Sequence, residues 1–127
     1  MPWTIVAAAW KIPNLPYYHI TLVLKDDSGS VVSTISGGPG TGPGTIYTGP
    51  NVFKYLGTAP IGVQIDSYKP GDELFTLYKK NGIEVPIASG SETDVMRAWN
   101  AGVKVGRAID DNQNIQDSSQ RYNYSPS

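Results

Sequence analysis

The stretch that most restricts the fold is "YYHITLVLKDDSGSVVSTIS", Tyr17 to Ser36. Its first half alternates, with Ile20, Leu22 and Leu24 on one side and His19, Thr21 and Val23 on the other, as a strand with a two-residue period requires. Asp26 to Gly29 then reads as a turn, because the aspartates can accept from their own backbone and the glycine can take a positive φ. Ser30 to Ser36 is β-prone and returns as the partner strand. The segment predicts an antiparallel hairpin.

The rest of the chain adds strands and one helix. Trp3 to Trp10 is apolar and β-prone, and Pro13 and Pro16 end it by denying backbone donors. Ile61 to Tyr68 is a strand candidate, followed by a turn at Lys69–Asp72 with Pro70 and Gly71 at its centre. Glu73–Lys80 and Ile83–Ala88 are separated by Asn81-Gly82, which predicts a second hairpin with positive φ in its turn. Pro86 puts the last strand at a sheet edge or beside a bulge. A single long helix is expected from Ser91, an N-cap residue with Glu92 and Asp94 in the first turn. Val95, Trp99 and Val103 form its apolar stripe. Gly102 and Gly106 cost about 1 kcal/mol each relative to alanine there, which suggests close approach of another backbone.

The fold class expected is α+β, an antiparallel sheet of hairpins with one dominant helix packed on it. The 127 residues suit a single domain. Residues 37–50 would form a flexible Gly/Pro-rich loop. Residues 113–127 would form a polar tail, tethered if at all by Ile115, Tyr122 and Tyr124.

Composition excludes several functions. There is no cysteine, so disulfides, thiolate metal ligands and thiol nucleophiles are ruled out together. The net charge is −1 with no basic stripe, which argues against nucleic-acid binding. No run approaches 18 apolar residues, so no membrane span is expected, and the first ten residues lack the basic region of a signal peptide. Export, if any, would follow a signal-independent route. One histidine and no calcium-loop spacing predict neither a metal nor a cofactor.

Chemistry, if present, centres on His19, the one side chain that titrates unperturbed near neutral pH. Without a thiol, a nucleophile activated by it would be Ser, Thr or water. Ser33 and Ser36 on the partner strand are the nearest candidates, although no G-x-S-x-G elbow marks either. The alternative is a histidine with only a structural role. The segment "STISGGPGTGPGT" holds five glycines in thirteen residues, but it lacks the lysine and following helix of a phosphate-binding loop. It reads as one wall of a cleft. The tyrosines, Tyr17 and Tyr18 among them, can stack on sugars or peptide groups, or they can fill a small β core.

The order of these features resembles a family. A strand opening on histidine, "YHITLVLKDDSG", leads to a strand running into Gly-Gly-Pro, "VVSTISGGP". A later helix, "DVMRAWNAGVKVGRAID", leads to an aromatic-polar stretch, "RYNYSPS". This is similar to domains of bacterial secreted effectors and polymorphic toxins, some of them circularly permuted relatives of papain-like amidases. The resemblance implies an amidase- or peptidase-type hydrolase with His19 as base. Gly37, Gly38 and Pro39 would form the corner beside the substrate; Tyr17 and Tyr18 are substrate-binding candidates for their rings alone. It also implies an Asn/Ser-rich segment following Ser127, so the site carried here is expected to be incomplete. The competing expectation is a binding module that recognises a protein, peptide or glycan through its Tyr-rich loops.

Overall fold

The computed structural model describes residues 2–11, 18–39, 61–65, 79–80 and 82–123. Five strands and a long helix make up most of this: β1 (Trp3–Lys11), β2 (Tyr18–Lys25), β3 (Val31–Pro39), β4 (Ile61–Ile65), β5 (Ile83–Gly90) and α1 (Glu92–Asn112). The strands form one antiparallel sheet in the order β4-β3-β2-β1-β5, and α1 packs on it, an α+β arrangement.

The hairpin of β2 and β3 forms around Asp26. Gly29 takes φ 81° in the turn and donates its N–H to the Asp26 carbonyl at 3.0 Å. One carboxylate oxygen of Asp26 accepts from Ser28 N, Ser28 Oγ and Ser30 N at 2.9, 2.6 and 3.0 Å. The register pairs Thr21 with Ser36, Val23 with Thr34 and Leu24 with Ser33. β3 does not stop at Ser36. It runs through Gly37 and Gly38 to Pro39, so the loop expected from residue 37 cannot begin before residue 40. The remainder of that loop lies outside the described residues.

The second hairpin expected from the sequence does not form. Lys79 and Lys80 are helical, so no strand leads into Asn81, which itself lies outside the described residues. β5 pairs instead with β1, from Trp3 opposite Gly90 to Ala9 opposite Ile83. Among the described residues it is the edge strand beside β1, and the register shifts opposite Pro86 and Ala88. Both are places where a residue without an N–H is tolerated. The strand expected at 61–68 is described over Ile61–Ile65. The turn at 69–72 and most of the expected strand at 73–80 lie outside the described residues.

Two compact units can be distinguished, Met1–Ser36 with Gln64–Val103, and Gly37–Val63 with Lys104–Ser127. In the first, Val6, Ala8, Trp10 and Val23 form a core cluster on one sheet face. Ile5 and Leu24 are buried on the other face, where a Cβ on Gly102 of the helix would stand 3.7 Å from Ile35 Cδ1. That neighbour is a side chain at ordinary contact distance, not the closely packed backbone that the glycine suggested. Val95 and Trp99 of α1 are buried. The helix is capped as expected: the Asp94 N–H donates to Ser91 Oγ at 3.2 Å.

In the second unit, Asp110 near the end of α1 accepts from the Val63 N–H at 2.8 Å and from Gln113 Nε2 at 2.9 Å. A 3₁₀ turn, Ser118–Gln120, opens on Asp117. Ile115 and Tyr122, two of the three residues expected to tether the tail, are exposed; Tyr124 lies outside the described residues. The segment is held by polar groups instead. Arg121 is buried and donates to the Ile115 carbonyl and to Asn123 Oδ1. The Tyr122 backbone accepts from Ile61 N and donates to Asn112 Oδ1.

Candidate functional site

Strand alternation brings His19 and Ser36 to the same sheet face. Ser36 lies directly opposite Thr21, and His19 is two residues from Thr21 along β2, so all three side chains project the same way. His19 Nε2 lies 2.5 Å from Ser36 Oγ. Thr21 Oγ1 donates to that same oxygen at 3.3 Å. On its other flank His19 faces Trp10, its direct partner on β1, with ring centroids 5.0 Å apart and planes inclined at 53°. A tilted aromatic pair of this kind fixes a ring's orientation as well as burying it.

The side chains around the ring are buried. Trp10 and Thr21 are each 1% exposed and Ser36 6%, while His19 is partly buried. Burial disfavours the imidazolium and lowers the His19 pKa from its ordinary value. The ring is therefore neutral at physiological pH, the form in which a nitrogen can accept a hydroxyl proton.

The other expected site residues fall elsewhere. Ser33 lies opposite Leu24, on the far sheet face from Ser36, and does not join His19. Gly37 and Gly38 continue β3, with Gly37 exposed, and Pro39 ends the strand. Tyr18 pairs with Lys11 in the β1–β2 ladder; Tyr17 lies outside the described residues. Two members of the cluster were not singled out from sequence. Thr21 was legible as a residue on the histidine's side of its strand. Trp10 was not, because only the register between β1 and β2 sets it beside the ring. Among the described residues no group of three or more His, Cys, Asp or Glu side chains is placed to hold a metal ion. Among those same residues no helix is long and apolar enough to cross a membrane.

Compared with known proteins, the chain matches no family model, no curated protein and no solved structure.

Proposed function

We propose that this chain is an acyl-transfer hydrolase of the amidase or peptidase type, with Ser36 as nucleophile and His19 as its general base. The observation that carries this reading is the 2.5 Å approach of His19 Nε2 to Ser36 Oγ, within the reach that base catalysis needs. Ser36 Oγ would attack the substrate carbonyl while its proton passes to Nε2. The resulting imidazolium would return that proton to the leaving amine. The absence of cysteine from the chain makes a hydroxyl the nucleophile such a site would use. The resemblance to effector and toxin domains rests on sequence features alone and points to the same chemistry.

The test is covalent labelling. A small alkyl fluorophosphonate is the suitable probe, because Ser36 exposes only 6% of its surface. It should form an adduct that mass spectrometry places on Ser36. Ser36→Ala should abolish the adduct and His19→Gln should slow its formation about a hundredfold, the lower end of what one general base contributes. No adduct, or an adduct that survives Ser36→Ala, would remove the hydrolase reading.

A second reading, a binding module for a protein or peptide, is favoured by a different observation. Ile20, Ala9 and Ile83 lie opposite one another across β2, β1 and β5. Ile20 is 63% exposed and Ile83 66%, with Val85 at 60% two residues along β5. Contiguous exposed aliphatic surface of this kind marks protein-interaction sites. Under this reading His19 and Ser36 only tie β2 to β3, and the fluorophosphonate leaves Ser36 unmodified.

A further inference from the structure

We propose that Thr21 is a positioning residue that sets the order of protons in the cluster: Thr21 hydroxyl to Ser36 Oγ, Ser36 hydroxyl to His19 Nε2, with the remaining ring proton of His19 on Nδ1. The inference rests on the hydrolase reading for its purpose, but not for its geometry.

A serine hydroxyl has one proton to give and two lone pairs to receive. Thr21 Oγ1 donates into Ser36 Oγ, so one lone pair of that oxygen is occupied. The contact between Ser36 and His19 can then be made in two ways. If Nε2 carries the proton, Ser36 receives a second donor, and its own proton points away from the imidazole. A base in that state cannot take the proton. If Nε2 is bare, the Ser36 proton lies along the 2.5 Å line to it, and three groups form a head-to-tail chain whose members polarise one another.

The surroundings favour the second arrangement. Thr21 is 1% exposed, so water does not compete for its hydroxyl. Its β-branched side chain is stiff about χ1, and the direct Thr21–Ser36 pairing holds the two Cβ atoms together. Trp10 limits reorientation of the ring from the other side.

The chain has one histidine, so its ring nitrogens can be read without ambiguity by long-range ¹H–¹⁵N NMR of the full chain. At neutral pH the proposal expects Nε2 to resonate as an unprotonated, acceptor nitrogen and Nδ1 as the N–H. Thr21→Val, nearly isosteric, should shift the ring toward a mixture of tautomers, and Thr21→Ser should restore the original signature. The phosphonate reaction at Ser36 should slow about tenfold in Thr21→Val, the factor that one lost hydrogen bond supplies, and recover in Thr21→Ser. A wild-type ring protonated on Nε2 overturns the proposal, whatever Thr21→Val does. So does a tautomer unchanged by Thr21→Val in a folded variant. Because the NMR reading needs no turnover, it stands apart from the hydrolase test. An acceptor Nε2 that responds to Thr21 supports the proton order even if Ser36 takes no label. A labelled Ser36 beside an Nε2–H ring sinks the role of Thr21 and that of Nε2 as base, and leaves Ser36 as the nucleophile.

Discussion

His19 and Asp26 show how single groups tie stability to pH. Burial lowers the folded pKa of His19, so below about 6.5, the ordinary histidine value, the unfolded chain takes up a proton that the folded chain refuses. Stability therefore falls as pH drops from about 6.5 toward the folded pKa, and stops falling from this cause once both states are protonated. Asp26 acts in a lower window. The Ser28 hydroxyl, and then the Ser30 and Ser28 backbone N–H groups, hold its carboxyl below the usual range. Its contribution is present above about pH 3.9 and is lost as pH falls from there through the folded pKa. Denaturant midpoints measured between pH 8 and 4 should thus decline for the wild type. They should decline less for His19→Gln over the part of the range above pH 5. Equal slopes in the two proteins would mean that the ring is as well solvated folded as unfolded. Of these two residues, sequence named His19 as the titrating group, but the direction of its shift follows from neighbours on β1 and β3.

The helix is the element whose sequence signals were most complete, and its energetics divide between capping, core and backbone. Ser91 caps it, Val95 and Trp99 are buried, and Glu92 and Asp94 stand exposed in the first turn. Trp99→Ala should cost about 3–5 kcal/mol, the range for deleting a buried aromatic, seen as a large fall in the thermal midpoint. Gly102→Ala should act the other way. Among the described residues a Cβ there meets Ile35 Cδ1 at 3.7 Å, ordinary contact distance, so the substitution removes the glycine's entropic cost without a clash there. It should stabilise by about 0.5–1 kcal/mol and raise the midpoint by a few degrees. A destabilised Gly102→Ala would mean that Ile35 cannot give way. The strands were less legible than the helix. "NG" is a strong hairpin signal taken locally, yet Lys79 and Lys80 are helical and β5 pairs with β1. Pairing to β1 lines β5 against a strand about eighty residues earlier, a partner no window around Asn81 contains.

For the sheet as a whole, the two faces are not equivalent. The face bearing Val6, Ala8, Trp10, Thr21, Val23, Thr34 and Ser36 is buried, whereas the other is buried at Ile5, Leu24 and Ile35 and open at Ile20, Ile83 and Val85. Ile83→Thr with Val85→Thr should therefore change stability by no more than about 0.5 kcal/mol per site and reduce binding of an apolar fluorescent dye. A loss of several kcal/mol in denaturant melts would show that this row is covered. Alternation in β2, the Asp26–Gly29 turn, the Ser91 cap and the helical stripe were all readable along the chain, because each depends on neighbours within a few residues. So was the α+β class, which follows from the kinds of element present. The identity of the serine beside His19 was not. Ser33 and Ser36 differ by an odd number of positions and so lie on opposite faces, and register alone selects between them. Register depends on which face is buried across several strands at once, and so do the place of Trp10 against the ring and the choice of β1 as partner for β5. Those are sums over contacts distant in sequence, and they take a value only when the whole sheet is assembled.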